Sequence, residues 1–401
     1  MAPILAESGG VRSVVKFLVD NFQMHQDQYE IDLISLGASF QDTRSRRLLN
    51  PASWFRPVRI EKDQLWGLDL YRVGSNWTEI EFQRYKPRKV LDDLVEQYDV
   101  VQLVCGLPVW GNVAKNWKVP MCMQVATLTK LERSAGSASG GSWLISRWRK
   151  WMTSITSRLD NQGIQMAKAV MYENTVFGDW MDQHFPGIPK LFAPPGIDIS
   201  IFQKSNAPGD NPIGEKYILN VGRLNDPRKD TPTLVRAYSR FIAKYPEEKI
   251  QLVFAGKNNP VPELEKEIDQ QGLAGKVRVM QDVAFDQLIQ LYHHADFFVL
   301  SSKEEGLGIV VMEAMAAGLP VISTDCGGPS SLIDEGENGY FVPIGDDQTM
   351  ADRIQKLALD TDLRAKISAN NLNTSKDFDN ASRMRPYFKI YEELLQPDSG
   401  A

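Results

Sequence analysis

The feature that most constrains this chain is a repeated alternation of short β-branched runs with amphipathic helical stretches. Such alternation is typical of parallel sheets that are covered by helices on both faces. It occurs twice along the 401 residues. Because single hydrophobic cores stop growing at roughly 250 to 300 residues, a chain of this length is expected to form two domains. The sequence therefore predicts an α/β protein with two doubly wound domains.

In the first half, a turn at Gly9 and Gly10 precedes an apolar stripe of helical spacing that runs from Val11 to Phe22. Strands are predicted at 31–36, 100–104 and 121–125, after a short first strand at 2–5. A lone Gly-Gly pair before a helix fits a tight turn as well as a phosphate or acceptor contact, and both interpretations stay open.

Pro, Gly, Asn and Asp interrupt regular structure between residues 193 and 214, so the domain boundary is predicted at 205/206. The second half then predicts strands at 217–221, 252–255, 277–280, 297–300 and 321–323. Open doubly wound sheets bind ligands at the carboxyl ends of their strands. The loops of this domain, 206–380, are therefore expected to line a site, while 1–205 forms the other domain.

The densest functional signal lies at 301–322, where a strand ends, a glycine loop follows and a helix begins. Helix N-termini offer unpaired N–H groups and a positive dipole end, so Leu307, Gly308 and Ile309 are placed to receive a phosphate. Glu305 and Glu313 flank this segment. Carboxylates repel phosphates, so hydroxyl groups are their expected targets. A nucleotide sugar offers hydroxyls at both ends, with a diphosphate between them.

Glu305 and Glu313 also have the spacing of a Glu-x7-Glu motif. With it and with further motifs, the chain resembles the retaining glycosyltransferases of family 4, along nearly its whole length. Those motifs are Gly9-Gly10-Val11, Ala193-Pro194-Pro195-Gly196-Ile197-Asp198, Val221-Gly222-Arg223-Leu224, Asp226-Pro227-Arg228-Lys229, His294-Ala295-Asp296 and Tyr391-Glu392-Glu393-Leu394-Leu395. The resemblance implies the GT-B fold, in which two Rossmann-like domains face each other across a cleft.

By position, the resemblance implies that Arg223 and Lys229 hold the diphosphate of a nucleotide-sugar donor. It also implies that Glu313 binds the ribose, that Glu305 faces the transferred sugar, and that Gly222 lies beside the donor. On this basis 1–205 would bind the acceptor, 206–380 the donor, and 381–401 would form a helix that packs back on the first domain. The transfer would retain the anomeric configuration.

The chain departs from the family pattern at two places. Many relatives carry a histidine near the position of Ala126, and this chain has none there. Many also carry a Gly-Gly-x-x-Glu turn, which reads Gly327-Gly328-Pro329-Ser330-Ser331 in this chain. The donor identity rests on family frequency, with a UDP-sugar favoured over GDP-mannose. No Asp-x-Asp pair lies in a suitable loop, so no metal and no other cofactor is expected.

Composition limits the partners and the compartment. A net charge of −6 argues against nucleic acid as a partner, and three cysteines without paired spacing suggest a reducing cytoplasm. The basic, Trp-rich stretch from Trp143 to Arg158 has two interpretations. It is either a helix on the cytoplasmic membrane face near a lipid-linked acceptor or a helix packed on its own domain, and we favour the second.

Two other function classes remain open. A sugar-nucleotide epimerase shares the fold but needs an acid and a base near the sugar carbon, and no such pair stands out. A non-catalytic sugar-nucleotide binding protein is disfavoured because Arg223, Lys229, Glu305 and Glu313 are all present.

Overall fold

The computed structural model describes residues 1–3, 10–39, 42–130, 143–173, 175–203 and 210–396; the side chains of 143–146, 148–150 and 175 are not among them. The chain divides into two compact units, Met1–Pro195 with Arg383–Ala401, and Gly196–Ser382. Gly9 lies outside the described residues, as do residues 4 and 5 of the predicted first strand at 2–5.

The first unit contains two four-stranded sheets, in the orders β1-β2-β4-β3 and β5-β6-β7-β8. Met1 joins β1 of the first sheet to β5 of the second. Its carbonyl accepts a hydrogen bond from the Val104 N–H at 2.9 Å, and its amino group donates one to the Gln102 carbonyl at 2.7 Å. The strands are β1 (Ala2–Pro3), β2 (Leu33–Leu36), β3 (Ile60–Leu65), β4 (Leu68–Val73), β5 (Val101–Cys105), β6 (Met121–Val125), β7 (Ala169–Tyr172) and β8 (Lys190–Phe192). The helices are α1 (Gly10–Gln23), α2 (Lys89–Val95), α3 (Trp143–Gln165) and α4 (Thr175–His184).

The second unit contains one parallel sheet of six strands in the order β11-β10-β9-β12-β13-β14. Its strands are β9 (Lys216–Arg223), β10 (Ile250–Lys257), β11 (Val277–Gln281), β12 (Phe297–Leu300), β13 (Val321–Thr324) and β14 (Gly339–Val342). Its helices are α5 (Ile199–Phe202), α6 (Thr231–Lys244), α7 (Pro262–Gln270), α8 (Phe285–His294), α9 (Ile309–Ala316), α10 (Asp347–Leu359) and α11 (Thr361–Thr374). This is the strand order of a Rossmann domain, and it confirms the doubly wound prediction.

Strand residues of the second unit alternate between two cores. In β9, Leu219 and Val221 belong to one apolar cluster while Ile218 belongs to the other, and β10 divides in the same way. Because helices cover both faces, consecutive residues of one strand are buried, which is why these strands read as continuous apolar runs.

The division at 195/196 lies about ten residues before the predicted boundary at 205/206. The reason is the packing of the intervening segment. Ile197 donates its N–H to the Phe378 carbonyl at 2.9 Å, and Phe202 is buried in a core of the second unit. The Pro/Gly-rich composition at 204–214 therefore follows the boundary instead of marking it.

The last helix, α12 (Asn380–Leu395), contributes Met384, Tyr387 and Tyr391 to a core of the first unit, together with residues of α1. The Tyr387 hydroxyl donates to the Ala193 carbonyl at 2.6 Å, and the Tyr391 hydroxyl donates to the Gln102 side chain at 2.9 Å.

Candidate active site

Two loops meet where the strand order of the second sheet reverses. The neighbours β9 and β12 are paired at Ile218 and Phe297, and chain connections leave them in opposite directions along the sheet. At such a switch point the loops after the two strands diverge and leave a crevice at their carboxyl ends. The predicted residues Arg223, Lys229 and Glu305 lie on these two loops.

Two arginines, one at the end of β9 and one in the loop that follows it, bind the same carboxylate. Asp226 Oδ2 accepts hydrogen bonds from Arg223 Nη2 at 2.6 Å and from Arg228 Nη2 at 2.9 Å. Its Oδ1 accepts from the Arg228 N–H at 3.1 Å. Although burial opposes the change, these hydrogen bonds and the two cations hold the pKa of Asp226 below its usual range. The contact with Asp226 orients the Arg223 side chain, which remains 49% exposed to solvent.

Lys229 and Glu305 join the two loops. Lys229 Nζ lies 2.5 Å from Glu305 Oε1, and the side chains are only 15% and 14% exposed. Ser302 donates its hydroxyl to the same oxygen at 2.6 Å. The loop backbones are joined as well, since the Lys303 N–H donates to the Arg228 carbonyl at 2.7 Å. The predicted cation and the predicted carboxylate are therefore in direct contact.

A third loop, after β13, fixes the backbone of Glu305. The Glu305 N–H donates to the Cys326 carbonyl, and the Glu305 carbonyl accepts from the Gly328 N–H, both at 2.9 Å. The approach is so close that a β-carbon on Gly328 would lie 2.5 Å from the Leu307 carbonyl carbon. In the turn that departs from the family pattern Gly-Gly-x-x-Glu, the second glycine is thus retained as Gly328, and Ser331 occupies the position of the glutamate.

Helix α9 begins directly after Glu305 and the glycine loop. Gly308 is its N-cap at φ +82°, and no side chain caps the helix. Leu307 and Gly308 are buried and Ile309 is partly exposed. The first turn therefore presents backbone N–H groups that no capping side chain occupies, which is the arrangement that anions favour.

Glu313 lies on the second turn of α9, beside a buried tyrosine. The Tyr292 hydroxyl donates to Glu313 Oε2 at 2.7 Å. Burial raises the pKa of Glu313 to about 7, while the hydrogen bond from Tyr292 opposes that shift. Burial, together with the neighbouring Glu313, also raises the pKa of Tyr292 well above its ordinary value. A carboxyl in this setting accepts a hydrogen bond from a hydroxyl group, and near neutral pH it also exchanges a proton.

Gly222 lies against Lys229. A β-carbon at Gly222 would be 3.4 to 3.7 Å from three carbons of the Lys229 side chain. The structure thus brings together Gly222, Arg223, Lys229, Glu305 and the first turn of α9 on adjoining loops, with Glu313 on the same helix. Sequence reasoning missed the supporting residues Asp226, Tyr292 and Ser302, although Asp226 and Ser302 lie within the motifs it had singled out.

The first unit contributes fewer of the predicted residues. Gly10 is exposed and begins α1. In α3, Trp151 is 53% exposed whereas Met152 is 5% exposed, so part of the apolar side of this helix packs on its own unit. In the second unit, His293 is buried, and its Nε2 lies 3.0 Å from the Phe202 carbonyl oxygen.

Sequence reasoning also missed a buried carboxyl in the first unit. Glu173 follows β7 directly, and Gln124 donates to it at 3.2 Å. Burial raises the pKa of Glu173 to about 7, against the effect of that hydrogen bond. Val125 pairs with Tyr172, so Glu173 follows the strand next to Ala126, where relatives carry a histidine.

The described part of the chain contains no cluster of three His, Cys, Asp or Glu side chains that could hold a metal ion. In the same residues, no helix is both long enough and apolar enough to cross a membrane.

Comparison with known sequences points to one family. Residues 202–374 match the sequence model of the family described as "Glycosyl transferases group 1". A relative named D-inositol 3-phosphate glycosyltransferase, from Corynebacterium jeikeium (strain K411), is 29% identical over 214 residues, which are 50% of this chain and 51% of that protein. The chain therefore spans about half the length of the curated relatives it matches.

Comparison with solved structures covers the whole chain. Sucrose-phosphate synthase from Thermosynechococcus elongatus superimposes with a TM-score of 0.71 at 18% identity, over 97% of this chain and 94% of that one. Anabaena HepE in complex with UDP gives a TM-score of 0.70 at 16% identity, over 98% of both chains. These likenesses show the fold, which is GT-B with two Rossmann-like domains, as predicted.

Proposed function

The chain belongs to the group 1 glycosyltransferases through residues 202–374, and on that premise we propose that it transfers a sugar from a nucleotide-diphosphate sugar to an acceptor. The observation that carries this proposal is the contact of Lys229 with Glu305 at the switch point of the second sheet. It places a cation and a carboxylate side by side, beside the uncapped first turn of α9.

This arrangement matches the two kinds of group that a nucleotide sugar presents. As the sugar leaves, the nucleoside diphosphate gains negative charge, and fixed cations with helix N–H groups stabilise that charge. Arg223, held by Asp226 yet 49% exposed, and Lys229 would meet the diphosphate. Leu307, Gly308 and Ile309 would offer the backbone N–H groups, and Gly222 would leave room beside Lys229.

The two glutamates would then bind hydroxyls. Glu305 has one carboxylate oxygen occupied by Lys229 and Ser302 and would face the transferred sugar. Glu313 would accept a hydrogen bond from the ribose in place of, or together with, the one from Tyr292. With two cations on the diphosphate, we propose that transfer needs no metal and no other cofactor. Retention of the anomeric configuration follows the family 4 resemblance.

For the donor we propose a UDP-sugar first and GDP-mannose second. The structural neighbour HepE, which was solved in complex with UDP, supports this order. For the acceptor we propose a saccharide, lipid-linked or small-molecule hydroxyl compound, bound by the first unit, in which the sequence offers Gly9-Gly10 as a contact. The relative from Corynebacterium jeikeium is named for a phosphorylated inositol acceptor, which makes inositol phosphates a second class to screen.

The experiment that tests the proposal is a thermal-shift screen with UDP-, GDP- and ADP-sugars and free nucleotides, with and without EDTA. A ligand at one hundred times its dissociation constant stabilises the folded protein by about 2.7 kcal/mol. We expect one nucleotide class to raise Tm with EDTA present and to lose that effect in Lys229→Ala.

The matched control is Lys244→Ala, which removes an exposed cation at the other end of α6. It should respond to nucleotide as the wild type does. If no nucleotide sugar stabilises the wild type, or if Lys229→Ala responds equally, the assignment of the donor site fails. Incubation of donor without acceptor separates the other classes, because an epimerase changes the sugar while a binding protein leaves it intact.

A further inference from the structure

A second, unassigned feature lies in the first unit, in the segment that follows β2. Five arginines, Arg44, Arg46, Arg47, Arg56 and Arg59, stand within residues 42–59, where the only acidic residue is Asp42. The chain as a whole carries a net charge of −6, so this local excess of positive charge is not a consequence of composition.

Four of these arginines line one surface cavity of about 210 Å³. Its wall contains Arg44, Arg47, Arg56 and Arg59, together with polar side chains such as Ser45 and Asn50. A cavity with guanidinium groups and neutral donors in its wall suits an oxyanion, because guanidinium groups bind phosphate by paired hydrogen bonds.

Arg56 and Arg59 of this group are not paired with acidic side chains of the described residues. Arg44 pairs with Asp42 at 2.6 Å and approaches Glu61 at 3.5 Å. Arg56 and Arg59 are exposed, and no ion pair involves either of them within the residues that the structure describes. Arg47 Nε is buried without a hydrogen-bond partner among the same residues. The cavity therefore retains unneutralised cations.

Large apolar side chains stand between the cavity residues and point to solvent. Phe55 is 93% exposed and Leu49 82% exposed, and Leu48 and Trp54 are 42% exposed each. In sequence, Leu48 and Leu49 lie between Arg47 and Asn50, and Trp54 and Phe55 lie between Ser53 and Arg56. The apolar residues thus form a rim of the same segment that builds the cavity.

This exposure belongs to an ordered conformation. Ser53 Oγ donates to the Arg47 carbonyl at 3.0 Å, and Trp54 Nε1 lies 3.1 Å from the Leu48 carbonyl. Glu79 accepts the Leu48 N–H at 2.8 Å, and, although burial opposes it, this bond and the charge of Arg47 lower the pKa of Glu79. The segment is held so that its apolar side chains remain in solvent.

We propose that residues 43–59, the basic rim segment, dock the first unit on an anionic lipid surface. The cavity would take a lipid phosphate, and Leu49 and Phe55 would enter the interfacial layer. Arginines with aromatic and aliphatic side chains are the composition of surfaces that bind this layer. A soluble phosphate compound would use the cavity but gain nothing from Phe55 and Leu49, which is why we favour lipid. The proposal does not rest on the donor chemistry of the second unit.

The test is co-sedimentation of the full chain with vesicles of phosphatidylcholine alone and of phosphatidylcholine mixed equally with phosphatidylglycerol. We expect binding to the mixed vesicles only, and its loss between 0.05 and 0.5 M NaCl. Juxtamembrane arginines contribute about a fivefold factor each, so Arg56→Ser/Arg59→Ser should lower the partition coefficient roughly 25-fold. Leu49→Ser/Phe55→Ser should lower it roughly tenfold or more without a change in charge.

Two control variants separate this surface from others. Lys115→Ser/Lys118→Ser removes two exposed cations elsewhere on the first unit, and Trp151→Ser/Arg158→Ser alters α3; both should bind as the wild type does. Absence of binding to mixed vesicles at 0.05 M NaCl would overturn the proposal. An equal loss of vesicle binding in the lysine control, or wild-type binding by either rim variant, would also overturn it. So would a rise in Tm with inorganic phosphate if the protein does not bind vesicles.

Insertion is measured separately with Phe55→Cys labelled by an environment-sensitive fluorophore, since Cys105, Cys122 and Cys326 are buried. A blue shift on mixed vesicles supports entry of this residue into the interfacial layer. An unchanged spectrum under conditions where the protein sediments with the vesicles refutes it.

Discussion

Two glycines that face each other across β9 and β10 show how closely these two strands approach where they end. Gly222 and Gly256 are register partners, and a β-carbon on Gly256 would lie 1.7 Å from the Gly222 carbonyl oxygen. The three heavy atoms nearest to a β-carbon on Gly222 all belong to the Lys229 side chain, at 3.4 to 3.7 Å, which is ordinary contact distance. The same substitution therefore has different consequences at the two positions.

We expect Gly256→Ala to destabilise the protein by about 1 to 3 kcal/mol or more, because backbone must move to relieve the overlap. Gly222→Ala should cost less than about 1 kcal/mol. Urea denaturation of both variants checks this, and equal losses would show that the two strands are not this close.

The contact between Lys229 and Glu305 yields a prediction that separates stability from activity. Glu305→Gln leaves a mostly buried ammonium without its carboxylate, so we expect a loss of about 1 to 2 kcal/mol in stability. We also expect sugar transfer to fall by roughly a hundredfold or more.

The double variant Lys229→Met/Glu305→Gln removes both charges and should regain most of the stability, because no unpaired charge remains buried. Its transfer activity should stay low. Recovery of turnover together with stability would show that the pair only holds the loops.

At the scale of elements, helix α12 is the segment of the C-terminal part that belongs to the first unit. Tyr387 is fully buried and lies 5.9 Å from the ring of Phe17, centre to centre. Its hydroxyl donates to Ala193. The helix therefore completes the core around α1, and Tyr387 contributes both a large buried ring and a buried hydrogen bond.

We expect Tyr387→Ala to destabilise the protein by about 3 to 5 kcal/mol, because it leaves a large cavity. Tyr391→Phe, which loses the bond to Gln102 and keeps the ring, should cost about 1 kcal/mol. The exposed Glu393→Ala on the same helix is the control. Denaturation midpoints measure all three, and a neutral Tyr387→Ala would remove α12 from the core.

At the scale of the whole molecule, a carboxyl with a raised pKa in each unit, Glu173 and Glu313, links stability to pH. The pKa values of Glu173 and Glu313 are raised by burial to about 7, from an ordinary value of 4.5. Below pH 4.5 both groups are protonated in the folded and the unfolded chain, and their contribution is fully present. As pH rises to 7, the unfolded chain releases these protons first, so this contribution to stability is lost.

Each shift corresponds to about 3 kcal/mol. We therefore expect Glu173→Gln and Glu313→Gln to gain stability relative to the wild type as pH rises from 5 to 8, measured by urea denaturation at each pH. A difference that does not change with pH would mean that the carboxyls are ionised throughout.

Local sequence determined much of this architecture. The runs at 217–221, 252–255, 297–300 and 321–323 are strands buried on both faces, so hydrophobicity alone marks them, and the run at 277–280 forms the partly exposed edge strand β11. The hairpin of β3 and β4 was missed, since Glu61, Lys62 and Asp63 are consecutive and exposed in β3, so this strand shows no apolar alternation. The Glu-x7-Glu spacing with its glycine loop also identified the family.

Tertiary structure alone decided which distant residues meet. Lys229 and Glu305 are 76 positions apart and come together because β9 and β12 are neighbours at the point where the strand order reverses. The arginines of the basic rim segment form a visible cluster in the sequence, but net charge and hydropathy do not show which of these side chains share a cavity. Periodicity predicts which face of an element is buried, but which side chains pair across remote segments depends on how those segments pack.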